Sequence, residues 1–314
     1  MRAAVVEQYG TPVPTSFQEP VAADGQVVVE VLAAGVNPVD LARAAGTFYS
    51  GRQPLPFVAG GEGVGRLPDG SRAYFDRPVA PFGSIAERAL VLPRATIALP
   101  DAIDDGVAVA LGIAGLAAWL PLWWRADLQP GETVLVLGAT GVLGHIAVQA
   151  AKLLGAGRVV AAGRDADALA RTVPLGADAT VLLDQRTGAE LTAALKEAAG
   201  GSFDVIVDPL WGAPAAAALG AISRGGRLIQ IGQSAGATAE LPSSAIRGTL
   251  GEIRGHTNFL APEETKIAAY RAMVEHVVAG RLSVDVERLP LEQVATAWER
   301  LRAGAHGRKL VLVP

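Results

Sequence analysis

From residue 133 to residue 231 the chain alternates short apolar runs with amphipathic stretches of helical period. Thr133-Val-Leu-Val-Leu137 is a continuous apolar run ending at a glycine, the pattern of a central parallel strand. A 3.6-residue repeat follows at Val142, Leu143, Ile146, Ala147, Ala150 and Leu153, closed by Gly155. Further strands are predicted over 158–162, 179–183, 204–208 and 227–231, with helices over 166–173, 189–199 and 214–222 between them. Strand and helix units in that order specify an α/β fold, an open, doubly wound parallel sheet of the Rossmann type.

The flanks read differently. Residues 1 to about 100 carry β-branched strand patterns starting near Gln26 and Ala86. Between those runs lie Gly46, Gly51, Pro54, Pro56, Gly60, Gly61, Gly63, Gly65, Pro68 and Gly70, which predict short, sharply bent strands of a partly open barrel rather than helices. Past residue 250, Pro262 opens a helix with Glu263 and Glu264 in its first turn and Gly280 after its end. A second helix is predicted from Leu291 to about Arg302, and an apolar strand over 309–314. These pieces read as additions to the N-terminal part, with the α/β part inserted.

At 314 residues, 50% hydrophobic and 18% charged, the chain can bury the cores of two modest domains. A net charge of -4 argues against a nucleic-acid partner. The absence of cysteine removes disulfides, thiolate nucleophiles and cysteine-containing zinc sites. His145, His256, His276 and His306 are far apart with no metal-ligand spacing, so no metal is expected. The start lacks the long apolar run of a signal peptide, because Glu7 and Gln8 interrupt it. Residues 106–124 are uncharged and long enough to span a bilayer, but their Ala and Gly content, with Pro121, predicts two short buried helices of a soluble, cytoplasmic protein instead.

The sharpest motif is Ala139-Thr-Gly141-Val-Leu-Gly144, between a predicted strand and a predicted helix. Gly141 lets the backbone approach a pyrophosphate, Gly144 lets the helix lie close on the sheet, and the helix amides face the anion. A purely structural glycine turn is the alternative. The second strand ends in Gly163 and Arg164 where NAD binders carry a carboxylate, and an arginine there can grip a 2′-phosphate. Asp165, one position on, leaves the ribose reading open, and Arg164 as a solvated loop charge is its bland counterpart. The preferred cofactor is NADPH.

Several further segments, in order, resemble the medium-chain dehydrogenase/reductase superfamily in its zinc-free quinone oxidoreductase (zeta-crystallin-like) branch. They are Ala34-Gly-Val-Asn-Pro-Val-Asp40, Gly60-Gly-Glu-Gly-Val-Gly65, Pro130 to Gly138, Gly144 to Gly155, Gly225 to Gly232, and Gly307-Arg-Lys-Leu-Val-Leu-Val. The resemblance covers essentially the whole chain. It implies a GroES-like β-barrel catalytic domain formed by residues 1–112 and 251–314, a Rossmann NADPH-binding domain at 113–250, and a homodimer. Zinc-dependent relatives carry a cysteine where this chain has Asn37 and a histidine where it has Gly61, so two usual zinc ligands are replaced.

The resemblance implies reduction of a quinone or an α,β-unsaturated carbonyl compound, whose own conjugation spreads the developing charge. A dry cleft, stacking geometry and one hydrogen bond to the carbonyl are what the protein must then supply. Cofactor contacts fall on Ala139, Thr140, Gly141, Val142, Leu143, Gly163, Arg164 and Gly232. Asn37 matches the family's loop asparagine, which would contact the nicotinamide or the substrate oxygen, with an Asn-Pro turn residue as the alternative. Tyr49 is the candidate hydrogen-bond donor, one position away from the family's usual tyrosine, with ordinary packing as its alternative. Ala117 replaces a common threonine, and the segment from Gly65 to Ser84 is shorter than in most relatives. Reduction of an enoyl thioester, or NADPH binding without turnover as a redox sensor or structural protein, are the competing functions.

Overall fold

A computed structural model describes residues 1–183, 186–304 and 307–314, so His306 lies outside the described residues. The chain divides into two units, one formed by Met1–Ala114 with Ala272–Pro314 and the other by Gly115–Arg271.

The second unit is built on a six-stranded parallel sheet with spatial order Ala179–Leu182, Arg158–Gly163, Thr133–Leu137, Phe203–Asp208, Ile222–Gln230, Glu252–Gly255. Thr133–Leu137 sits inside the sheet because Val134 to Leu137 are apolar without interruption and fully buried. Its neighbours on the two sides belong to opposite halves of the winding, which makes the end of this strand the topological switch point. Leu135, Leu137, Val160, Phe203, Ile206 and Leu228 form one core with Leu191 and Leu195 of the helix Gly188–Ala199.

Two sequence expectations shift here. The helix predicted over 214–222 is Gly212–Leu219, and Ile222 already belongs to the strand Ile222–Gln230, longer than the 227–231 expected. The return to the first unit, placed at residue 251 from sequence, falls at Ala272. The reason is the strand Glu252–Gly255, which takes backbone register beside Arg227–Gln230 and extends the parallel sheet by one member.

The first unit holds a seven-stranded sheet. Its main path runs Val286–Pro290, Lys309–Val313, Val27–Gly35, Glu62–Arg66, Arg72–Asp76, Thr96–Ala98, and Arg88–Val91 also pairs with Val27–Gly35. A three-stranded sheet, Val13–Ser16, Arg2–Val6, Phe57–Val58, completes the β part. Trp298 from the helix Val294–Ala303 plugs a core with Phe57, Phe75, Ile85 and Leu312. The Gly/Pro-crowded segment is not free of helix, because Pro38–Ala44 forms one with Pro38 in its first turn. The Asp40 carboxylate receives the Asn37 amide at 2.9 Å while the Asp40 amide donates to the Asn37 backbone carbonyl at 2.9 Å, a local cap that Asn-Pro-Val-Asp encodes.

Asp105–Arg125 is helical, apolar enough by length to cross a membrane, and mostly buried within the protein. It breaks at Gly112, whose ψ of -112° is not helical, so it is two shorter helical stretches as the sequence suggested. A side chain at Gly112 would run into Glu62 and Tyr74. The break frees the Ile113 amide, which donates to Glu62 Oε2 at 2.5 Å.

Candidate active site

In the α/β unit the site grows from the end of Thr133–Leu137. Gly138 turns the chain with a φ of +63°, a left-handed conformation that an L-residue adopts only at a cost. Ala139 is fully buried and its amide donates to Ala162 O of the next strand at 2.9 Å, which fixes the turn to the sheet. Gly141 stands just before the helix Val142–Leu153 in extended conformation, with no side chain capping the helix. The His145 amide closes the first internal bond, to Gly141 O at 2.9 Å. The first helical amides are thus left for an external acceptor, and the helix dipole adds positive potential there. A Cβ at Gly144 would collide with the backbone of Gly138 and Ala139, whereas one at Gly141 would meet nothing closer than Gly138 O at 3.7 Å. The turn is therefore packed against its helix on one side and open on the other.

Gly163 ends the second strand, buried beside Thr140, so both residues of the predicted nucleotide set share one corner. Arg164 follows it, exposed and without an ion pair among the described residues. Asp165 is the N-cap of the helix Ala166–Ala170, and its Oδ1 accepts from the Ala168 amide at 2.9 Å. Gly232 lies against Pro209 O, where the loops after the fourth and fifth strands meet, and its carbonyl accepts from Gln230 Nε2 at 2.8 Å. Sequence reasoning missed Asp208 in this corner. Its Oδ1 accepts from the amides of Leu210 and Trp211, both at 2.9 Å, and holds Trp211 at a φ of +58°. Burial pushes the Asp208 carboxyl above its ordinary range. An acidic residue closing an apolar strand was the available signal.

In the β-rich unit Asn37 sits in a buried polar cluster. Its Nδ2 donates to Glu62 Oε1 at 2.8 Å and its Oδ1 accepts from Lys309 Nζ at 2.6 Å. Lys309 also reaches Glu62 Oε1 at 2.8 Å, and the second Glu62 oxygen accepts from Tyr74 OH and the Ile113 amide. Asn37 thus has its donor and acceptor engaged inside the protein, and it braces the loop in the arrangement described. Sequence reasoning missed Lys309, although a single lysine opening an apolar terminal run was a visible signal. Tyr49 is elsewhere: it is 76% exposed, its ring 4.3 Å from that of Phe48, and the structure does not bring it to Asn37.

Asp40 Oδ2 receives the Asn37 amide at 2.9 Å, while its buried Oδ1 has no hydrogen-bond partner among the described residues. Burial, reinforced by the charge of Glu62, raises the Asp40 pKa to about 6 against the opposing pull of Arg43 and Lys309. Asp40 also lines a cavity of about 320 Å³ with Arg43, Phe48, Arg52 and Gly61.

The profile of the zinc-binding dehydrogenase family matches residues 142–273. The quinone oxidoreductase of Rattus norvegicus is 30% identical over 246 residues, covering 74% of this chain and 73% of the rat protein. The chain belongs to the zeta-crystallin-like quinone oxidoreductase branch of the medium-chain dehydrogenase/reductases. Another relative is a phenolphthiocerol/phthiocerol polyketide synthase of Mycobacterium tuberculosis, 31% identical over 310 residues, which span 91% of this chain but 13% of that much longer protein. Among solved structures, the quinone oxidoreductase of Thermus thermophilus, also determined with NADPH, superposes with a TM-score of 0.86 at 29% identity, with 100% of each chain covered.

The zinc in the family's description does not fit the donor set of this member. Asn37 offers a carboxamide already bound to an ammonium, Gly61 offers no side chain, and the Glu62 carboxylate is held by Lys309. No group of three or more histidine and acidic side chains is placed to hold a metal ion among the described residues.

Proposed function

We propose that the protein is an NADPH-dependent oxidoreductase that reduces a quinone or an α,β-unsaturated carbonyl compound. The observation that carries this reading is the pairing of an open glycine turn after Leu137 with Gly163 and Arg164 at the end of the adjacent strand. Ala139, Thr140 and Gly141 shape the turn, and the amides of Val142 and Leu143 at the helix start hold the pyrophosphate. Arg164 takes the 2′-phosphate, since Asp165, the carboxylate that would otherwise select a ribose hydroxyl, caps the following helix. Gly232 keeps the loop beside the nicotinamide low. The bound nicotinamide supplies a hydride, and water supplies the balancing proton, so a quinone leaves as its hydroquinone.

The Thermus relative, solved with NADPH, and the family's name support the cofactor and the acceptor class. In this reading Asn37 acts through the loop it braces. Tyr49, on the exposed loop, is the candidate donor to an acceptor carbonyl. A homodimer formed through the open edge of Glu252–Gly255 belongs to the same proposal.

A second reading, reduction of an enoyl thioester, is favoured by the likeness to a segment of the mycobacterial polyketide synthase. Rapid mixing of the protein and NADPH with 1,4-benzoquinone, 2-cyclohexenone or a crotonyl thioester separates them, followed by loss of the reduced-nicotinamide absorbance. Turnover with the quinone or the enone supports the first reading, and thioester turnover alone moves the assignment to the second. Tight NADPH binding with no acceptor consumed would leave a binding protein and end both.

A further inference from the structure

Asp40 is the one acidic residue on the described lining of the β-rich unit's cavity. The other polar side chains there are Ser50, Gln53 and the guanidinium groups of Arg43, Arg52 and Arg77. An alcohol and a carboxamide do not exchange protons near neutral pH, and a guanidinium does not release one inside a protein. The Asp40 carboxyl is therefore the group of this lining able to give up a proton and take it back.

Its two oxygens are used differently. Oδ2 receives the Asn37 amide at 2.9 Å, while Oδ1 has no hydrogen-bond partner among the described residues. Oδ1 borders the place where Gly61, also on the lining, lacks a side chain, since a methyl group added there would stand 3.3 Å from it. Charges face the carboxyl from three elements: Glu62 favours its protonated form, whereas Arg43 on its own helix and Lys309 on the terminal strand oppose it. Burial outweighs them, and the group keeps a proton up to about pH 6. With Oδ2 accepting an amide, that proton sits on Oδ1, beside the gap at Gly61.

We propose that Asp40 is the proton donor of the reduction, its Oδ1 handing a proton past the bare backbone of Gly61 to the carbonyl oxygen of an acceptor bound in the cavity. The proposal rests on the reductase reading above and names the group through which the balancing proton passes. With an enone, hydride joins the β-carbon and the π pair of the C=C bond shifts toward the carbonyl, leaving its electrons on the oxygen as an enolate. The Asp40 O–H bond breaks and an O–H bond forms on that oxygen. The acceptor is reduced by one electron pair, the nicotinamide is oxidised by the same pair, and the Asp40 carboxylate recovers its proton from water.

Two measurements test it. Infrared difference spectroscopy of the full chain, without nucleotide, reads the donor directly. A protonated-carboxyl stretch seen below about pH 6 and lost in Asp40→Asn belongs to Asp40, and it moves to lower frequency when 2-cyclohexenone binds. Steady-state kinetics with NADPH and the same enone then show a kcat that falls as pH rises through about 6. Asp40→Asn lowers kcat roughly a hundredfold, abolishes that fall and leaves KM within about twofold. Gly61→Ala keeps the infrared band but, with a methyl group in the gap, loses its response to the enone and lowers kcat roughly tenfold or more. A band indifferent to the enone in the unaltered protein, or an Asp40→Asn protein with kcat within about twofold of it, overturns the inference. If the unaltered protein reduces neither the enone nor a quinone, the reductase reading fails and the donor role with it, while the infrared response still shows whether the cavity takes a carbonyl ligand at Asp40.

Discussion

Lys309 Nζ lies 2.8 Å from Glu62 Oε1, with the two side chains 2% and 0% exposed, and the same ammonium donates to Asn37 Oδ1 at 2.6 Å. Removing one member of such a pair leaves an uncompensated buried charge. Lys309→Met is expected to lower stability by about 3–5 kcal/mol, because Glu62 keeps its charge with only neutral donors around it. Adding Glu62→Gln to that variant should recover part of the loss. Urea unfolding of the two variants checks this, and a double variant no better than the single one would show that the ammonium's charge is not what matters.

Asp40 gives a pH dependence of defined sign. In the fold it holds its proton up to about pH 6, first through burial and then through the charge of Glu62, whereas the unfolded chain ionises it near 3.8. Between those values the native state binds the extra proton, so this group's contribution to stability is full below the lower value and is lost as pH rises to the upper one. The loss is about 2–3 kcal/mol at most. Asp40→Asn removes that slope. Unfolding free energies of both proteins measured across this range should diverge, and parallel curves would refute the assignment.

Substitutions at Gly144 and Gly141 should separate folding from binding. Gly144→Ala drives a methyl group into the Ala139 backbone and is expected to cost about 1–3 kcal/mol of stability. Gly141→Ala finds open space and should unfold within about 0.5 kcal/mol of the parent. Its NADPH affinity should nevertheless drop, because the methyl group occupies the approach to the turn. Thermal unfolding with and without NADPH reads both effects, and a Gly141→Ala protein that binds normally would locate the phosphates elsewhere.

Arg164→Ala is expected to weaken NADPH by roughly 1.5–3 kcal/mol and to leave NADH almost untouched. Folding should not change, since the side chain is exposed and makes no ion pair among the described residues. Equal losses for the two nucleotides in a fluorescence titration would rule out a role in binding the extra phosphate.

The α/β unit was legible because its signals are local. The run from Thr133 to Leu137 and the helix Val142–Leu153 fall on their predicted bounds, and each is set by its own periodicity and its closing glycine. The strand Glu252–Gly255 was not legible. It has four residues, two of them charged, and only the neighbouring strand's backbone makes it one. The same holds for the buried cluster. Asn37, Glu62 and Lys309 are up to 272 positions apart in sequence, and only the pairing of Lys309–Val313 with Val27–Gly35 brings them together. The cap between Asn37 and Asp40 could have been read from spacing alone, but the dense Gly/Pro context pointed to turns.

The dependence of Asn37 and Glu62 on Lys309 also sets an order of events during synthesis. Residues 115–271 are contiguous and can complete their sheet while the ribosome is still at work. The β-rich unit must hold the buried Glu62 carboxylate without its counter-charge, and Asn37 without the ammonium that its carbonyl accepts from, until position 309 emerges, so it is the later half to mature and the one in which a stalled or prematurely released chain would be vulnerable to proteolysis.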